Sequence, residues 1–246
     1  IIYIFFLAYI EIINEHKFAL RFISCNVKPN EYKKDFINKY SWFKIFNNND
    51  IPTPMVYAIV EDEKLNILNK DFDYNKKYIF KPNVGLKGRD IYFDSYNNIK
   101  KNNVTFGESM LIQERIYDCK YGTKKPRHIR LHSIYNEKEN EVYSLTFLIF
   151  DGKEEKIMSN FHQGGTITDC FDLKCDNLSK EEKYKIVEVT NKLLKLHKKL
   201  RRTMIGWDII LACDTAYVLE GNICPGTERL NKESVKKYEK LFDDKY

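Results

Sequence analysis

"IGWDIILACDTAYVLEGN", residues 205–222, decides the reading of this chain. Two apolar runs flank a short polar break, the pattern of a β-hairpin. The second run carries Glu220 and Asn222, and because side chains alternate along a strand the two share one face. The first run carries Asp208, which reaches that face only if the connecting loop holds an odd number of residues. A loop of three (213–215) sets Asp208 opposite Glu220, and a loop of five (213–217) sets it opposite Asn222. An even loop turns Asp208 to solvent. Asp, Glu and Asn are hard oxygen ligands, suited to Mg²⁺ rather than to zinc or copper. Two carboxylates abreast repel unless a cation or proton intervenes. The hairpin therefore predicts a divalent-metal site of Asp208, Glu220 and Asn222, and the chain then turns at once on Cys224-Pro225-Gly226.

Working back toward the N-terminus, Ile186, Val189, Leu193, Leu196 and Leu200 recur at helical spacing, and Ser179 with Glu182 makes a capping box. A helix over 179–202 follows. Its basic end, "KLLKLHKKLRR" at 192–202, reads as a solvated helix terminus whose cations complement the dipole. "PRHIRLHSIY" (126–135) and "EVYSLTFLIF" (141–150) predict an antiparallel pair joined by the polar turn "NEKEN". Arg130, on the first of these strands, suits a bidentate contact with a carboxylate or phosphate. In "MSNFHQGGTI", 158–167, paired glycines follow Asn160 and His162. Gly164 and Gly165 offer backbone donors, although Gly-Gly more often marks only a turn and a lone loop His is more often structural.

Two further stretches look like parts of one site. "YIFKPNVGLKGRDI", 78–91, delivers Lys81 from an apolar strand into a loop with Gly85, Lys87 and Gly88. Glycine lets backbone N–H groups approach phosphate oxygens, and lysine supplies a point charge. No GKS or GKT follows, so this is not a Walker A loop, and two glycines alone more often mean a tight turn. "LIQERIYD", 111–118, ends a buried strand in Gln113, Glu114, Ile116 and Asp118. Such an end can meet a purine edge and ribose hydroxyls, or can simply be solvated. "MVYAIV" at 55–60 is a further strand, preceded by a helical segment from Tyr40 to Asn49 and by "DIPTP", whose prolines stop that helix.

The composition bounds these readings. Hydrophobic residues make up 43% and charged residues 31% of the 246, as in ordinary globular proteins. The net charge of +6 is scattered among nearly as many acids, which suits an anionic small ligand and is weak support for nucleic acid, so none is expected. The six cysteines form no CxxC and no regular framework, so free thiols in a reducing, cytoplasmic compartment are the default expectation. "IIYIFFLAYI" at 1–10 is too short to span a bilayer, and membrane contact is expected only if this run is a truncated anchor. The chain begins without Met, which leaves a longer parent or a processed form open. A buried first strand or helix is the working expectation. Strands grouped with a few covering helices predict an α+β architecture rather than a parallel βαβ series.

The order of the motifs (strand, Lys and Gly loop; polar strand end; Arg; SNxHxGG; D…ExN) resembles the ATP-grasp superfamily over roughly 40–228. "SWFKIFNNNDIPTPMVYAIV" looks like its usual entry. "SNFHQGG" resembles the ribosomal-protein glutamate ligase branch, and "GWDIILACDTAYVLEGNICPGT" the sugar-transfer-associated branch. The resemblance implies an N-terminal segment (1–39) followed by two α+β subdomains clasping ATP, 40–116 and 117–246, the latter with a C-terminal helix. It implies phosphate contacts from Lys44 and Lys81, with Lys39 as a fallback for Lys44, and a loop at 85–88 closing over them. Gln113, Glu114 and Ile116 would line adenine, with Asp118 near ribose. Asp208, Glu220 and Asn222 would hold Mg²⁺, or Mn²⁺ in its place, with Lys81 and Arg130 as catalytic residues, Arg130 facing the reacting phosphate, and Arg130, Asn160, His162, Gly164 and Gly165 at the acceptor. The activity implied is carboxylate–amine ligation through an acylphosphate, on a small-molecule, sugar or peptide acceptor carrying a carboxylate or amine. Two alternatives remain at this stage: a kinase for a polyol phosphate, and a nucleotide-binding module without turnover.

Overall fold

The computed structural model describes residues 38–84, 90–102, 104, 109–117, 127–151, 166–170, 173–223, 225, 233 and 236–237. The expectations for residues 1–37, for the 85–88 loop (Gly85, Lys87, Gly88), for Asp118, for Asn160, His162, Gly164 and Gly165, and for most of a C-terminal helix lie outside them.

Two five-stranded antiparallel sheets form the α+β body. The first comprises β1 (Val56–Glu61), β2 (Lys64–Ile67), β3 (Lys77–Pro82), β4 (Tyr92–Ser95) and β5 (Ser109–Gln113), in the order β2-β1-β5-β3-β4. The second comprises β6 (Arg127–Asn136), β7 (Glu141–Asp151), β8 (Thr166–Cys170), β9 (Met204–Leu211) and β10 (Ala216–Asn222), in the order β10-β9-β6-β7-β8. The helices are α1 (Lys39–Asn47), α2 (Tyr96–Lys101) and α3 (Lys180–Leu200). Among the described residues no helix is long and apolar enough to cross a membrane.

The local signals explain the helices. Ser179 and Glu182 satisfy each other's backbone N–H groups at the start of α3, and Arg201, left-handed at φ 51°, stops it. Ile186, Val189, Leu193 and Leu196 are buried beneath it, as the spacing requires. The basic end is not simply solvated, however. His197 is fully buried and Arg202 nearly so, while Lys198 reaches Glu141 at 2.7 Å.

Helix α1 joins the sheets. Asn38 caps it, accepting from the N–H of Tyr40 (2.9 Å) and of Ser41 (3.1 Å). Trp42 and Phe46, one helical turn apart, enter the core of the second sheet, where Trp42 meets Trp207 edge-to-face at 5.6 Å. Tyr40 and Phe43 cover Val56, Ile59 and Leu111 of the first sheet. The helix therefore has its deepest side chains in the core of the second sheet. A backbone bond from Val218 to the Pro52 carbonyl (2.8 Å) adds a second tie.

Two expectations are corrected here. The β9–β10 loop is Ala212–Thr215, an even four residues, since Leu211 pairs with Ala216. Loop parity alone would then turn Asp208 to solvent. The register shifts between Val218 and Glu220, so Leu219 is the extra residue of a β-bulge and Glu220 pairs with Asp208 after all. The free-thiol expectation also fails. Cys170 and Cys175 form a disulfide across a Cα separation of 5.3 Å, Cys213 is disulfide-bonded as well, and no described cysteine is free. A spacing of five without a recognisable framework does not announce the Cys170–Cys175 pair.

Candidate active site at the junction of the two sheets

The bulge at Leu219 sets two carboxylates side by side, Asp208 on β9 and Glu220 on β10. Their charge is met by cations from three other elements. From β6, Arg130 is the direct partner of Asp208 in the ladder. Its Nε donates to Asp208 Oδ1 in a short contact, and Nη2 donates to Oδ2 at 2.9 Å. From α1, Lys39 Nζ lies 3.7 Å from Glu220 Oε2. From β3, Lys81 lies within the electrostatic reach of Glu220, Asp208 and Lys39. Burial lowers the Lys81 ammonium to about 8, against the pull of Glu220 that favours its charge. Arg130 is held charged by Asp208 and Glu220 despite its burial.

Asn222 completes the group. Its Nδ2 donates to Asp208 Oδ2 at 3.3 Å and faces the Gly206 carbonyl at 3.5 Å. Glycines separate the polar positions for steric reasons. A Cβ on Gly221, between Glu220 and Asn222, would stand 2.7 Å from Trp42 and 3.0 Å from Trp207. One on Gly206 would stand 2.6 Å from Pro225 and 3.1 Å from Arg130 Cδ. The EGN tripeptide thus faces the site with its first and third residues and admits α1 with its second.

The structure gathers Lys81, Arg130, Asp208, Glu220 and Asn222, all nominated from sequence, and separates Lys44 from them. Lys44 is exposed, with Nζ 4.8 Å from the Tyr40 ring centroid. Lys39, the fallback, is the helix lysine at the site. Gln113 and Glu114 are partly committed elsewhere. Gln113 is buried and donates to the Pro54 carbonyl at 3.0 Å, and Glu114 Oε2 accepts from Met55 N–H at 3.2 Å. Both hold the 52–55 segment against β5, while Ile116 is half-buried beyond the strand.

Asn83 escaped the sequence reading. It is buried, accepts from Tyr40 N–H at 3.0 Å through Oδ1, and donates from Nδ2 to Ser109 Oγ at 3.2 Å. Its carbonyl accepts from Lys39 N–H at 2.9 Å. It therefore fastens the exit of β3 to the first turn of α1 and holds Lys39 and Lys81 on one wall. Its place two residues after the strand lysine is the only mark it carries in the sequence.

The donor set fits a hard divalent cation. Two carboxylates and a side-chain amide, whose oxygen can also ligate, lie adjacent on one hairpin face with cationic side chains beyond them. The set rests on two acids only; among the described residues no three His, Cys, Asp or Glu cluster as a metal site.

No protein-family model matches the sequence, and no curated protein matches it. The fold does match solved structures. The D-alanine–D-alanine ligase from Helicobacter pylori superposes with a TM-score of 0.57 at 15% identity over 85% of this chain and 60% of that one. The same enzyme from Bacillus anthracis, complexed with ATP, gives 0.54 at 20% over 85% and 64%. The ATP-grasp ligase PsnB, complexed with minimal precursor, gives 0.52 at 15% over 84% and 60%. The chain spans 60–64% of the length of these three proteins. The protein has the ATP-grasp fold, as its motif order implied.

Proposed function

We propose that this protein is an ATP- and Mg²⁺-dependent carboxylate–amine ligase. The observation that carries the reading is the convergence of Lys39, Lys81 and Arg130 on Asp208, Glu220 and Asn222 where the two sheets meet. Phosphoryl transfer needs little covalent chemistry from a protein; it needs charge neutralised around oxygens and reactants held in line. Lys39 and Lys81 would take the phosphates of ATP, and Arg130 an acceptor carboxylate beside them. Asp208, Glu220 and Asn222 would hold Mg²⁺, which neutralises charge on the β- and γ-phosphates when bound. The γ-phosphoryl group passes to the carboxylate oxygen with release of ADP. The amine then attacks the acyl carbon and expels inorganic phosphate, forming the C–N bond. The ligases sharing this fold support the reading.

The test is incubation with ATP, Mg²⁺, hydroxylamine and a panel of amino acids and short acidic peptides. Hydroxamate that requires both ATP and one acid supports a ligase, because hydroxylamine intercepts an acylphosphate. Label transferred stably to a hydroxyl compound with no hydroxamate, or ATP binding without ADP release from any acid, overturns it.

A further inference from the structure

We propose that Arg130 is a metal-displaced latch: its guanidinium competes with a divalent cation for Asp208, and binding of the cation frees it from that carboxylate toward the acceptor. The inference rests on the nucleotide–metal reading of the site.

Both Asp208 oxygens are already engaged. Arg130 takes Oδ1 through Nε and Oδ2 through Nη2, and Asn222 Nδ2 donates to Oδ2 as well. Two of the three side chains suited to hold the cation are thus tied to each other, and one of them, Asp208, to a guanidinium as well. The pairing has an electrostatic cause. Asp208 and Glu220 are ladder partners, and two carboxylates so placed require a cation. Arg130 meets that requirement through its contact with Asp208. A divalent cation meets it better, because it carries more charge on a smaller radius and accepts oxygens from all three ligands. Keeping the guanidinium on Asp208 as well would add its charge to that of the cation, Lys39 and Lys81, so entry of the metal drives the guanidinium off.

Arg130 is not sealed in on every side. Its side chain is 22% exposed against 12% for Asp208, so the pair is open on one side rather than sealed. Gly206 leaves the room in which the arginine's Cδ lies. Displacement of Arg130 has a consequence for the acceptor. With its Nε–Nη2 edge on Asp208 the guanidinium keeps only its Nη1–Nη2 edge for a carboxylate, and entry of the metal frees the second edge for the acceptor.

The test reads metal binding rather than turnover. Mn²⁺ alone is titrated into the nucleotide-free protein and free Mn²⁺ is followed by electron paramagnetic resonance. Arg130→Gln removes the competitor and is expected to bind Mn²⁺ roughly tenfold more tightly than the wild type, within the range usual for coupled sites. Glu220→Gln should abolish that binding, which locates the ion. Equal or weaker Mn²⁺ binding by Arg130→Gln overturns the latch. In case that variant does not fold, the wild type labelled with ¹⁵N-arginine gives a second measurement. The Arg130 Nε–H resonance, assigned by its loss in Arg130→Lys, should shift on adding Mg²⁺·ADP, and an unchanged resonance at saturation overturns the latch. A wild type that binds neither Mn²⁺ nor Mg²⁺·ADP overturns the nucleotide–metal reading itself, and the latch with it.

Discussion

Arg130 on β6 and Asp208 on β9 are direct ladder partners, and the guanidinium of the first grips both oxygens of the second. Removing either partner leaves a largely buried charge without its counter-ion. Asp208→Ala should cost about 2–3 kcal/mol of unfolding free energy, below the 3–5 typical of a sealed pair because Arg130 is partly exposed. Arg130→Met should cost a similar amount, and the double variant clearly less than both together. Urea unfolding of the three variants checks this. Additive losses would mean the pair contributes no coupling.

Lys81 should make nucleotide binding depend on pH. Its ammonium, lowered to about 8 by burial, must be charged to meet phosphate. ATP affinity measured by calorimetry should therefore hold below pH 8 and weaken as pH rises through it. Lys81→Met should bind ATP about 10–100-fold more weakly at pH 7, the worth of one charged hydrogen bond, and should lose the alkaline fall. Unchanged affinity in the folded variant would remove Lys81 from the site.

Acid should loosen the second sheet through His197. The ring accepts from Ser133 Oγ at Nδ1 (2.8 Å) and donates from Nε2 to the Arg202 carbonyl (2.6 Å), while Trp207 Nε1 donates to the same Ser133 oxygen (2.8 Å). Both nitrogens are committed to the neutral ring, and burial lowers its pKa to about 4. The folded value lies below the unfolded one of about 6.5, so the unfolded chain takes up the proton first as pH falls. Stability is fully present above pH 6.5 and drops by up to about 3 kcal/mol toward pH 4. Thermal melts across that window should show the loss, and His197→Gln should flatten it. An equally steep acid slope in the variant would assign it to the carboxylates.

Gly221→Ala probes the seat of α1. The new methyl would stand 2.7 Å from Trp42 and 3.0 Å from Trp207, two rings deep in the core. A cost of about 1–3 kcal/mol follows from overpacking. Because α1 also carries Lys39, ATP affinity should fall with stability. A variant of wild-type stability would mean that the helix moves aside freely.

Several features were legible in the residues alone because they are local. The apolar runs at 141–150 and 205–211, the 3.6-residue recurrence of Ile186, Val189, Leu193 and Leu196, and the Ser179–Glu182 box each rest on near neighbours. That Asp208, Glu220, Asn222, Arg130 and Lys81 belong together was legible too, since these side chains have only a few chemistries in common. Other features were decided in three dimensions. The face of Asp208 depended on a bulge at Leu219, an apolar residue with no mark of its own in a strand of apolar residues. The choice between Lys39 and Lys44 depended on which side of α1 turns inward. Trp42 and Phe46 bury that side against Trp207, and with it Lys39 at the first turn comes to face Glu220 while Lys44 remains outside. Asn83 became a brace, and Cys170 and Cys175 a disulfide, only once distant segments had met. Periodicity is set by residues a few positions apart, whereas register, facing and pairing across elements follow from how whole sheets pack, and that information is spread over the entire chain.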